Sequence, residues 1–112
     1  MQRYLDIINH FGLRSQMKKL NEETYELLEA IDNYEDLIFE NETTENSYTT
    51  EELNVFRDHI VEEMSDVLIL LTQFICKYDI KEHEVNTCMD YKLERTEDRI
   101  KSNYYRKGDN ND

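Results

Sequence analysis

The 112-residue chain contains no proline and only two glycines, Gly12 and Gly108. These are the residues that end helices and make tight turns. A chain almost without them has few ways to build hairpins or glycine-rich phosphate loops. Long helices are what remains. Charged residues make up 35% of the sequence and apolar residues 38%, a balance shared by small helical domains and disordered chains. Long periodic apolar segments separate the two cases and argue for folded helices. The length suits one domain with a single modest core.

Residues 3–10 predict a short helix with Gly12 as its C-cap. From Leu13 onward, Leu13, Met17, Leu20, Leu27, Ile31 and Leu28, Tyr34, Ile38 fall on one stripe, predicting a long amphipathic helix to about residue 39. Residues 40–50 are polar, acidic and aperiodic, and read as a loop. Thr49 or Thr50 then offers an N-cap, Glu51 and Glu52 suit the positive end of a helix dipole, and Thr49 with Glu52 matches a capping box.

The helix that follows, to about residue 79, is apolar almost all round from Val67 through Leu71 to Phe74 and Ile75, which predicts burial on every side. So short a chain can hardly surround a helix, and a second subunit is expected to cover one face. A last helix is expected from about Ile80 to Asn103, with Val85, Cys88, Met89, Leu93 and Ile100 inward. The whole reads as all-α: an antiparallel bundle of about four helices, completed by dimerisation. It forms a single domain over residues 1–103 with a disordered acidic tail at 104–112.

The formal charge of −13 argues against binding a nucleic-acid backbone. An anionic substrate would have to be admitted by a metal ion and by local lysines and arginines. The run Val67–Leu71 is far short of a membrane span and the N-terminus has no signal-peptide apolar region, so a cytoplasmic protein without a membrane partner is expected. Cys76 and Cys88 form no CxxC, and their spacing and context suggest neither a zinc site nor a secreted staple. His10, His59 and His83 lack ligand spacing, and there is no GxxxxGK[ST], GxSxG or HExxH.

The acidic residues are more informative. Glu23 and Glu26 are three apart, as are Glu63 and Asp66, so each pair lies on one side of its helix. Face to face, the pairs would set four carboxylates around one point, suiting a hard divalent cation such as Mg²⁺ with a substrate phosphate completing the shell. With 26 acidic residues in the chain, either pair alone is more often a solvated face than a cation site. Context favours the cation: Asp66 directly precedes the apolar run and Glu23 borders its apolar stripe, and buried carboxylates are paired or bind metal. Gln16 also sits at that edge and, with His10, Phe11 and several tyrosines, is a candidate for lining a base pocket. Glu22 is expected to face solvent on the opposite side. Lys92, Arg95 and Arg99 share one face of the last helix, where they either neutralise neighbouring glutamates or clamp a polyphosphate.

Lys19-Leu20-Asn21-Glu22-Glu23-Thr24-Tyr25-Glu26-Leu27 with Glu63-Met64-Ser65-Asp66 resembles the EExxE…ExxD signature of the MazG-like all-α nucleoside triphosphate pyrophosphohydrolases. That superfamily includes the dimeric dUTPases and phosphoribosyl-ATP pyrophosphatases. Asp90-Tyr91-Lys92-Leu93-Glu94-Arg95 looks like its later phosphate motif of NxKxxR type, and the likeness runs from about residue 13 to 100.

The resemblance implies a helical bundle that forms a homodimer or homotetramer, binds Mg²⁺ (with Mn²⁺ as a substitute), and converts a (d)NTP to (d)NMP and pyrophosphate. Carried over by position, Glu23, Glu26, Glu63 and Asp66 are the metal ligands, and Glu22 is a further catalytic candidate as the first Glu of EExxE. Lys92 and Arg95 meet phosphates, with Gln16, Lys19 and Arg99 as the other substrate-binding candidates. Two departures stand out: Asp90 replaces a common Asn, and the acidic segment between Glu26 and Glu63 is longer than usual. The alternative of a different class is a non-enzymatic acidic interaction protein or nucleic-acid mimic. No residue pattern selects a base.

Overall fold

The computed structural model describes residues 1–43 and 48–102. Among these residues the chain is all-α, with no strand: α1 (Gln2–Phe11), α2 (Leu13–Thr43), α3 (Thr50–Lys77) and α4 (Glu82–Lys101). It divides into two compact units, Met1–Tyr78 and Asp79–Asp112. The expected tail at 104–112 and positions 44–47 of the expected loop lie outside the described residues.

One glycine makes the first change of direction. Gly12 has φ of 91°, which costs any residue with a Cβ, and its N–H closes α1 on the Ile8 carbonyl at 2.8 Å. The Gly12 carbonyl then accepts the Gln16 N–H at 3.1 Å, so α2 starts at once. The second helix runs to Thr43, about a turn beyond the expected end near 39. Its apolar period fades there, but no glycine or proline breaks the backbone, and acidic side chains tolerate a helix. Tyr48 folds back onto this end: its N–H donates to Asn41 Oδ1 at 2.7 Å and its hydroxyl to Glu40 Oε2 at 2.8 Å.

Thr49 is the N-cap of α3, its Oγ1 accepting the Glu52 N–H at 3.1 Å. The return half of the expected capping box differs: Glu52 Oε1 lies 3.2 Å from the Thr49 hydroxyl, which donates to it. At the start of α4 the Glu84 carboxylate accepts the Lys81 N–H at 2.7 Å.

Helices α2 and α3 are antiparallel, since Gln16 early in α2 meets Gln73 late in α3 while Glu23 and Glu26 meet Glu63. Helix α1 packs mainly on α3. Ile8, Ala30, Leu70 and Cys76 are the buried apolar residues, and Cys76 Sγ lies 3.5 Å from Met1 Sδ. Both cysteines are free.

Among the described residues α3 is only partly buried, in keeping with the expectation that so short a chain does not surround it. Of Val67–Leu71 only Leu70 is buried, and Leu68 is 60% exposed. Within this unit α1 and α2 are the helices that pack on α3. In α4 no residue is buried, and of the expected inward residues only Val85 is partly covered. A unit with a single described helix offers its own side chains no opposing surface. Among the described residues, no helix is long and apolar enough to cross a membrane.

Candidate functional site

Pairing α2 against α3 brings one carboxylate oxygen each from Glu23, Glu26 and Glu63 within 4.8 Å of one another. Glu23 is 7% exposed and the Glu63 side chain is mostly covered. Glu23 Oε2 and Glu63 Oε2 are buried with no hydrogen-bond partner. Leaving a charged acceptor desolvated and unpaired is costly, so converging oxygens of this kind call for a positive group. An all-oxygen, all-carboxylate donor set fits a hard cation of the Mg²⁺, Mn²⁺ or Ca²⁺ type and does not suit a soft metal.

The electrostatics agree. A protonated Glu26 gains a hydrogen bond with Glu23, which is the main reason its carboxyl titrates above the ordinary value. Repulsion from Glu23, desolvation and repulsion from Glu63 push the same way, and Lys19 opposes them. Lys19 Nζ lies 3.2 Å from Glu23 Oε1, one turn earlier on α2. The hydrogen bond to Glu23 and its charge hold that ammonium above the usual lysine range. His59 adds a neighbour unforeseen from histidine spacing: its Nε2 is 3.8 Å from Glu63 Oε1 and its Nδ1 is 3.8 Å from Glu62 Oε2. Its i, i+4 relation to Glu63 was the available signal.

Beside the trio runs a cleft of about 680 Å³, within the range of small-molecule sites. Helix α2 contributes two adjacent rows, Ser15-Lys18-Glu22 and Gln16-Lys19-Glu23. Helix α3 contributes Asp66, Ile69, Leu70 and Gln73, and α1 ends in Phe11 at the edge. Gln16 and Lys19, both substrate-binding candidates from the sequence, line this cleft.

Glu22 is exposed, as expected, and it also lines the cleft. Asp66 is exposed and lines the cleft outside the trio, since α3 is not enclosed at that point. Of the base-pocket candidates Phe11 lines the cleft, while His10 meets Phe11 edge-on with ring centroids 4.7 Å apart.

Ser15, Lys18 and above all Gln73 were not anticipated. Gln73 is 1% exposed and its Oε1 accepts the Gln16 Nε2 donor at 2.9 Å. A glutamine inside the apolar stretch Val67–Ile75 was the one sign of it. Lys92, Arg95 and Arg99 belong to α4, in the second unit. There Arg95 lines a smaller groove of about 280 Å³ with Tyr91, Glu94 and Asp98.

No curated protein and no solved structure gives a significant match to the chain. The family model described as the MazG nucleotide pyrophosphohydrolase domain matches residues 11–100, a span that contains the carboxylate trio and the whole lining of the cleft. Matched over most of its length, the chain belongs to the MazG nucleotide pyrophosphohydrolase family.

Proposed function

We propose that the chain is a Mg²⁺-dependent pyrophosphohydrolase that converts a (d)NTP to the (d)NMP and pyrophosphate. The observation that carries this reading is the pair of buried, unpartnered oxygens on Glu23 and Glu63, converging with Glu26 beside a cleft of nucleotide size. A bound divalent cation supplies charge stabilisation for phosphoryl transfer and an acidified water, with Mn²⁺ able to replace Mg²⁺. Glu23, Glu26 and Glu63 hold it, and Asp66, one turn after Glu63, is the fourth carboxylate.

The other residues divide the remaining work. Lys18 and Lys19 on the cleft wall set positive charge against the polyphosphate, which a chain of net charge −13 otherwise repels. Glu22, in the lining but outside the trio, accepts a proton from the attacking water. Water oxygen bonds to the α-phosphorus, the bond from that phosphorus to the bridging oxygen breaks, and pyrophosphate leaves in line.

A second copy of the chain covers α3 in this reading, giving a homodimer or homotetramer. Val61, Met64, Leu68 and Leu71 are exposed at i, i+3, i+7 and i+10, a single apolar stripe of the kind that packs against another helix.

The test is product analysis after incubation with each (d)NTP and Mg²⁺. Monophosphate and pyrophosphate are expected, and both should vanish in Glu63→Gln. Absence of product with every nucleotide, or release of diphosphate and orthophosphate, would overturn the reading. The acidic-mimic alternative accounts for solvated surface carboxylates, but it gives no reason for Glu23 to be buried with one oxygen unpartnered.

A further inference from the structure

The acidic end and the amide end of the cleft are separated along both helices. On α2 Gln16 precedes Glu23 by seven residues, and on α3 Gln73 follows Asp66 by seven. Seven residues are two turns, about 10 Å along a helix axis, which leaves room for a sugar between a base and a metal-bound phosphate. At the amide end two uncharged polar side chains are buried, Gln73 at 1% and Gln16 at 7% exposure. They share one hydrogen bond of 2.9 Å, and Ile69, Leu70 and Phe11 stand with them in the lining.

We infer that Gln16 and Gln73 form the base-reading end of the cleft, hydrogen-bonding a nucleobase edge that presents an adjacent donor and acceptor, with Phe11 at its rim. This inference rests on the nucleotide reading above and names the part of that site which faces the base.

The hydrogen-bond inventory supports it. Each amide carries two N–H donors and a carbonyl with two lone pairs. The bond between the glutamines uses one donor of Gln16 and one lone pair of Gln73. Gln16 Oε1 keeps its acceptor capacity and Gln73 Nε2 its donors, on two residues that both line the cleft. That pairing complements a lactam or amino-imine edge. As a mere staple between helices, two glutamines are a poor choice, since a matched apolar pair of similar shape is close to neutral for stability. A few polar groups set beside apolar side chains such as Phe11, Ile69 and Leu70 are the pattern by which sites fix ligand orientation.

The experiment measures binding and turnover separately, for wild type, Gln16→Leu, Gln73→Leu and the double Leu variant. Affinities are taken for the four dNMPs with Mg²⁺ and for a pyrimidin-2-one nucleotide lacking the exocyclic 4-substituent. Thermal melts confirm folding, and the double variant, which leaves no orphaned amide, stands in if a single one unfolds.

Wild type is expected to prefer some bases and to bind the pyrimidinone about 100-fold less tightly than the best natural base, as a site built to hydrogen-bond its ligand does. The Leu variants should flatten the ratios between bases to within about threefold while keeping the Mg²⁺-induced melting shift, which depends on the carboxylates. Uniform weakening for all bases with unchanged ratios would make the pair structural and overturn the inference. Absence of any base preference in wild type would overturn it as well. Failure of the function reading looks different: base-selective binding without hydrolysis would refute the pyrophosphohydrolase and leave the amide pair standing.

Discussion

Replacing Glu23 by glutamine should raise the stability of the metal-free protein and abolish its response to Mg²⁺. Wild-type Glu23 has one oxygen buried without a partner, beside carboxylate oxygens of Glu26 and Glu63 within 4.8 Å. An unsatisfied buried acceptor costs about 1–3 kcal/mol, and more when charged. In Glu23→Gln an N–H₂ group takes the place of that oxygen and donates to the neighbouring carboxylates. Lys19 keeps an acceptor in the glutamine carbonyl, so its 3.2 Å contact is weakened and not lost. The variant should gain about 1–3 kcal/mol, or about 4–12 °C in Tm at roughly 4 °C per kcal/mol for a domain near this size.

Mg²⁺ offsets this difference. At 100 times its Kd, a specific ligand stabilises by about 2.7 kcal/mol, which is about 11 °C on the same scale. Wild type should show that shift and Glu23→Gln almost none. The assay is a set of melts across a Mg²⁺ titration at constant ionic strength, which holds screening of the −13 charge steady. Glu29→Gln, an exposed control on the same helix, should behave as wild type. A metal-free Glu23→Gln less stable than wild type, or one stabilised equally by Mg²⁺, refutes the argument that the trio is a cation site.

Two further outcomes follow from the same structure. Glu26 titrates above its ordinary value of 4.5, so the stability it contributes when protonated is complete below that value and is lost as pH rises through the folded one. Mg²⁺ affinity should rise over the same window because the cation displaces that proton. Melts and Mg²⁺ titrations across the window should show both slopes, and Glu26→Gln should flatten them; an unchanged slope in the variant refutes the assignment. Leu68→Glu, in the exposed stripe of α3, should shift an oligomer to monomer in sedimentation velocity with little change in helix content; an unaltered oligomer places the interface elsewhere.

What the sequence alone determines here is local. The absence of proline and the placing of Gly12 set where helices run, Thr49 and Glu52 start α3, and helical periodicity singles out Glu23, Glu26, Glu63 and Asp66 as two carboxylate pairs at the edge of a core. These properties depend on neighbours within a turn or two, so one chain segment is enough to read them. Which side chains meet across helices is a property of register and of how far apart two faces stand. The tertiary structure alone therefore set Glu22 in the lining of a cleft, left Asp66 exposed outside the trio, and decided that Leu68 is on the uncovered face of α3. The clearest case is Gln73. Within α3 it is one polar residue in an apolar run, and only its 2.9 Å bond to Gln16, 57 positions earlier, makes the pair one end of the cleft.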